Sequence, residues 1–355
     1  MQKPLVDMAK FIKGLVPIEI PESYSLKPMF ETISSDEKIR SGILAFRGFL
    51  LKLYDNLITN GNLYDKPQKP VKNESHTSTA GNYPLLSHVK SILINIGYQS
   101  ELHENGMSLL LNDCQTLTSA ISPDGNIMKA KISSPNIFET LRFLSSCGMI
   151  FNGIDLDAKK SDITKIESLT ISYPDDPIML TGLKVMAIAQ RDLKINDNHD
   201  IFLRCDYRPL KNEETDITSI LKDFLYPLPE KTKKAAMDLH QYYLNKGLLC
   251  TISIKYFRVR FTYMKGSKAI WDFAATRDYG YCLFIKAKNT GMYPDVIKNF
   301  PAPMQKLIEF GYGCEKKRFN IPCQHGCHGF KFPLDDSFSN FNNDIKIWID
   351  NELQY

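Results

Sequence analysis

The 355-residue sequence predicts an α+β protein, a mainly helical N-terminal region followed by a C-terminal α+β domain built on an antiparallel sheet. Three observations predict it. Apolar residues recur at steps of three and four through residues 39–57, and two later segments pair a helix-starting proline with a closing glycine. From residue 250 the apolar period drops to two, over successive segments separated by turn residues. Helices bracket those strands, and this segregation of elements is the α+β signature. Hydrophobic residues at 43% and charged residues at 24% suit a chain that folds around real cores.

The start, "MQKPLVDMAKFIKGLVPIEI", has lysines at 3, 10 and 13 and no unbroken apolar run, so no targeting segment is expected. "GILAFRGFLLKLY" and "IMLTGLKVMAIA" are the longest apolar stretches, and both are interrupted and too short for a bilayer. The expectation is a cytoplasmic protein that does not enter a membrane.

The first clear element follows "TISSDEK", where Ser34 and Glu37 have capping-box spacing. Ile39, Ile43, Phe46, Leu50, Leu53 and Leu57 then form one helical stripe, with Gly61 as terminator. Residues 66–82 are polar and rich in Pro, Ser, Thr and Gly, which predicts a flexible loop. Pro84 and Pro135 each start a helix, with Gly97 and Gly148 thirteen residues on as terminators. "MSLLLND" and "MIFNGIDL" follow as short strands. Asp176 as N-cap and Pro177 as the first helical residue open another helix. Residues 1–150 thus read as mainly helical, and 151–212 as a helix and strand connector. Tandem winged-helix-like units are one arrangement that fits, and an irregular helical domain with good caps is the other.

The C-terminal domain runs over 213–355. "PEKTKKAAMDLHQYYLNKG" is a helix with Ala236, Leu239 and Tyr243 on one face. In "CTISIKYFRVRFTY" the alternation changes phase at Tyr256–Phe257, which requires a bulge or a tight bend. Strands "AIWDFAA" and "YCLFIKA" follow after the turns "MKGSK" and "TRDYG". A helix "APMQKLIEFG" with Met304, Leu307 and Ile308 inward, a strand "GFKF", and a helix burying Ile345, Trp348 and Ile349 complete the chain.

"LPEKTKKAAMDLHQYY", "RFTYMKGSKAIWDFAATRDYGYCLFIKA" and "PAPMQKLIEFG" resemble the small α+β domain of bacterial frataxin-like iron chaperones and their relatives, over roughly the last 140 residues. "LRCDYRPL", "PDDPIMLTGLKVMA" and the cysteine-bearing tail are similar to an uncharacterised family of bacterial cysteine-motif proteins. The first resemblance implies the fold of the domain. It does not bring iron delivery with it, because frataxin-like iron binding uses clustered acidic residues. Residues 225–355 instead carry 19 Lys and Arg against 12 Asp and Glu, a net +7. Residues 151–224 have 10 against 14, a net −4.

The strongest candidate site is "CEKKRFNIPCQHGCH". Cys314, Cys323, His325, Cys327 and His328 offer the soft donors that zinc takes four at a time in a tetrahedron. Pro322, Gly326 and Gly329 supply turns, and His325 and His328 compete for the fourth place. Glu315 beside Cys314 and Asp335 and Asp336 beyond the cluster could act as a base only if the fold brings them close, so a closed structural site fits better than a catalytic one. Lys316, Lys317 and Arg318 beside Cys314 support a second reading, a reactive thiol. A polar loop with incidental Cys and His is the third. Cys114, Cys147, Cys205, Cys250 and Cys282 lie among apolar neighbours and read as core thiols.

Arg258, Arg260 and Lys255 lie in the strand region with Tyr256, Phe257 and Tyr263, and alternation points the two arginines away from Phe257, Val259 and Phe261, a solvated basic face or a nucleic-acid surface. Arg204, Asp206 and Arg208 alternate as on a strand and should pair with one another. His88 and His240 sit in apolar helical surroundings and read as core or boundary histidines. The leading functional expectation is a non-catalytic binding or regulatory protein with a structural zinc. A nucleic-acid-binding regulator, using the N-terminal helices or the basic C-terminal part, is one alternative. A thiol- or metal-dependent enzyme acting at residues 314–328 is the other.

Overall fold

Residues Asp36–Asn60 form the long helix (α2) that the apolar stripe predicts, and all six stripe residues are fully buried. Its cap is Ser35, whose hydroxyl accepts from the Lys38 amide, and not Ser34. Gly61 does follow it, but in right-handed helical geometry. A Cβ there would lie 2.4 Å from a methyl of Val6, so the glycine serves the contact with helix α1 (Leu5–Lys13). The computed structural model describes residues 5–64, 84–103, 106–122, 125–158, 162–193, 200–213, 216–255, 258–276, 280–287, 289–310 and 330–354. The loop expected over 66–82 lies outside them. The chain divides into two units, Met1–Thr215 and Asp216–Tyr355.

In the first unit, α2, α3 (Pro84–Gln99) and α5 (Met179–Asp192) pack together around α5. Glycine permits the approach. A Cβ on Gly182 would lie 1.9 Å from the Gly42 carbonyl oxygen. Gly97 lies inside α3 rather than ending it, because a Cβ there would meet the Leu183 carbonyl of α5 at 2.7 Å. Gly148, in contrast, has φ +104° just past α4 (Ser134–Ser146) and closes that helix as the pattern predicts. Helix α5 begins at Met179, later than Asp176 and Pro177 imply. Its entry is a tight turn in which the Met179 amide donates to the Asp176 carbonyl.

Strands β1 (Glu101–His103), β2 (Ser108–Leu111), β5 (Ile150–Asn152) and β6 (Leu169–Ser172) form an antiparallel sheet in the order β1-β2-β6-β5. Leu109 faces Ile171 and Leu111 faces Leu169, all buried. The hairpin β3 (Ser119–Ile121) and β4 (Ile127–Lys131) hangs on α3: the Ile121 amide donates to the Ser91 hydroxyl, and Asn95 donates to the Ser119 carbonyl.

The second unit opens with α6 (Ile217–Leu225) and α7 (Glu230–Asn245). Strands β7 (Leu249–Lys255), β8 (Arg258–Lys265), β9 (Lys268–Thr276) and β10 (Gly280–Ile285) then run as an antiparallel meander. The phase change expected at residues 256–257 lies outside the described residues; on either side of it β7 and β8 pair antiparallel, with Lys255 in register with Arg258. After α8 (Pro294–Lys298) and α9 (Ala302–Phe310), strand β11 (Phe330–Pro333) pairs with β10 and completes the order β11-β10-β9-β8-β7. The last helix, α10 (Asn342–Gln354), buries Ile345, Trp348 and Ile349. One sheet face forms the core: Phe261, Tyr263, Trp271, Phe273, Leu283 and Ile285 are all buried, and the Tyr263 and Trp271 rings stack at 3.6 Å. Among the described residues no helix is long and apolar enough to cross a membrane.

Candidate functional site

Cys314, Cys323, His325, Cys327 and His328 lie outside the described residues. The elements flanking them are those expected, a helix ending at Phe310 and a strand starting at Phe330. Among the described residues no three Cys, His, Asp or Glu side chains are grouped to hold a metal. The other five cysteines are free thiols, four buried and Cys250 partly so. Burial pushes Cys114 up to about 11 and Cys250 and Cys282 up to about 12, and raises Cys147 and Cys205 as well. All five stay protonated near neutral pH, in keeping with core packing.

Two charged groups in the first unit have structural partners. Residues 200–210 follow a chain of tight turns and not the strand that alternation suggested. Asp206 nonetheless pairs with both arginines, at 2.8 Å to Arg204 and 2.9 Å to Arg208, and all three are buried. A turn achieves this because the Asp206 amide donates back to the Ile201 carbonyl while Cys205 takes φ +49°. Nearby, buried Lys90 meets buried Asp200 at 2.8 Å, and the Gln190 side chain accepts from the amides of Ile201 and Phe202. The network anchors the segment to α3 and α5. Helix α3 is buried along nearly its whole length, so it offers little surface to a groove of nucleic acid.

His240 is the core histidine that its surroundings predict. One ring nitrogen lies 2.6 Å from the Tyr263 hydroxyl and the other 3.1 Å from the Thr218 hydroxyl. Burial lowers its pKa, and Asp216 opposes the shift. His88 is half-buried and also lowered, chiefly by burial.

On the sheet, Val259 and Phe261 are buried while Arg258 is exposed and Arg260 half-buried on the other face. That face is not simply solvated. Asp272 of β9 is 1% exposed there, with Arg260 at 3.8 Å and Lys286 at 3.7 Å. Two cations thus surround one buried carboxylate, which ties down the arginine nearest the middle of the face.

Three cations without such ties lie on α6 and α7. Asp216 caps α6 by accepting from the amides of Thr218 and Ser219. Its buried face is Ile220, Leu221, Phe224 and Leu225, which leaves Lys222 on the exposed side. In α7, Thr232, Ala235, Ala236, Leu239, His240 and Tyr243 are buried, and this spacing turns Lys231 and Lys234 outward. Between the two helices lies an open groove of about 490 Å³. Lys222, Lys231, Lys233 and Lys234 line it together with Glu230, Leu225, Tyr226 and Met237. Glu230 pairs with Lys233 at 2.7 Å, and Lys233 also sits over the Tyr226 ring at 5.3 Å. Lys222, Lys231 and Lys234 make no ion pair among the described residues.

Sequence reasoning missed this groove because it did not assign α6 and read "KTKK" only as part of a helix. A signal was present. Lysines at 231, 233 and 234 fall within the first five residues of α7, the positive end of its dipole, where cations destabilise a helix.

The chain has no match among protein-family models, curated proteins or solved structures. The two resemblances therefore rest on the quoted segments.

Proposed function

We propose that this is a binding protein that recruits an anionic partner through its basic C-terminal unit. Residues 216–355 carry 20 Lys and Arg against 14 Asp and Glu, a net +6, while residues 1–215 carry 24 against 26, a net −2. The observation that carries the reading is the trio Lys222, Lys231 and Lys234, which line one groove without a carboxylate partner among the described residues. Charge gathered at a concave surface focuses potential and raises the local concentration of anions. A non-catalytic role is in keeping with the five described cysteines that burial keeps protonated.

The test is fluorescence anisotropy with labelled polyanions, a single strand, a duplex and polyglutamate, at about 50 and 200 mM salt. The expected result is binding to at least one that weakens as salt rises. No binding to any of them at the lower salt overturns the reading.

The spacing of Cys314, Cys323, Cys327 and the two histidines supports a second property, a structural zinc. Elemental analysis is then expected to give about one zinc per chain, and Cys323→Ser to lower the melting temperature. Metal-free protein after purification in reductant with zinc supplied would end that proposal.

A further inference from the structure

We infer that the α6–α7 groove takes a nucleotide unit of a single-stranded nucleic acid, an inference that rests on the anion-binding reading and names its partner. Charge alone does not account for this surface. Leu225 and Met237 line it beside Tyr226, which is 55% exposed and has Lys233 over one face of its ring. A simple polyanion such as polyglutamate would satisfy the lysines and leave that apolar and aromatic surface wet. The complementary ligand carries a flat ring for the open face of Tyr226 and for Leu225 and Met237, with a phosphate for the lysines. At about 490 Å³ the groove falls in the range of small-ligand sites, enough for one nucleotide unit.

The rim favours a strand over a free nucleotide. Lys231 and Lys234 lie three residues apart on α7, about one helical turn, with Lys222 on the neighbouring helix. Three cations spread over two helices exceed the need of one phosphate and suit a backbone passing along the groove. The positive end of α7 adds to their potential. A duplex fits poorly, because its bases are stacked inside and cannot reach Tyr226.

The experiment uses the full chain and a labelled oligothymidylate. Controls are a hairpin duplex of similar charge, free thymidine monophosphate as competitor, and polyglutamate. The single strand is expected to bind tightest. Tyr226→Ala is expected to weaken it about tenfold, with unchanged melting temperature because the ring is exposed. Lys231→Gln with Lys234→Gln is expected to reduce the slope of log affinity against log salt by about 1.4. Equal affinity for the duplex overturns the inference. So does a Tyr226→Ala effect under twofold, or a free nucleotide that binds as tightly as the strand. If polyglutamate binds through the same lysines and the strand does not, this inference fails and the anion-binding reading survives. If no polyanion binds, both fail.

Discussion

At the residue scale, the most consequential side chain of the first unit is Asp206. It holds two buried arginines inside a turn, and the charges on all three are removed from water. Such a group is costly to create and costlier to break, because the survivors are left uncompensated. Asp206→Asn is therefore expected to lower stability by about 3–5 kcal/mol, read from the urea midpoint at constant slope. A loss below about 1 kcal/mol would mean that the arginines find other partners. His240 governs a second residue-scale effect. Burial holds its ring and that of His88 below the ordinary value of 6.5. As pH falls through 6.5 the unfolded chain takes up protons before the folded one does, so unfolding is favoured. The histidine contribution is complete above that pH and declines below it, towards the lowered folded-state values. A urea midpoint higher at pH about 7.5 than at about 5.5 is expected, with a smaller drop in His240→Gln. A drop as large in that variant as in the parent would remove His240 as its source.

At the scale of elements, glycine sets a helix crossing in one unit, and charge placement sets the end of a helix in the other. The crossing of α2 and α5 puts the Gly42 carbonyl where a Gly182 Cβ would stand, at 1.9 Å. Gly182→Ala must push two core helices apart, and a loss of about 1–3 kcal/mol or more is expected in thermal or urea unfolding. Gly48, in the same helix α2, has nothing within 4 Å of an added Cβ. Gly48→Ala is expected to stabilise by about 0.5–1 kcal/mol, since alanine is the better helix former and nothing clashes. In α7 the trade runs the other way. Lys231→Glu places an anion at the positive end of the helix and is expected to stabilise it by about 0.3–1 kcal/mol while weakening anion binding. A variant that gains stability and also keeps its affinity would take Lys231 out of the binding surface.

At the scale of the whole molecule, charge is divided between the units. The net +6 of residues 216–355 stands against −2 for residues 1–215. Three groove lysines each displacing a counterion from a single strand predict a slope of about −2 in log affinity against log salt. A slope near zero would mean that contacts other than phosphate dominate.

Much of this was legible in the chain. The stripe from Ile39 to Leu57, the alternation through β7–β10 and the buried face of α10 are local periodicities. Burial on one side writes them directly into the sequence. So was the pairing of Arg204, Asp206 and Arg208, because opposite charges two residues apart find each other on a turn as on a strand. Gly97 and Gly61 misled, since a glycine near the end of an apolar run signals either a terminator or a close neighbour. Only packing against α5 and α1 separates the two. Helix α6 escaped because nine residues give periodicity little room to declare itself.

The sequence alone established the α+β class, the order of most helices and strands, the core thiols and the basic C-terminal part, because composition and period are local properties. Folding settled which lysines stay uncompensated, which glycines are contacts, and that Asp272 occupies Arg260. Ion pairing and close approach depend on residues far apart in the chain, and no local pattern records them.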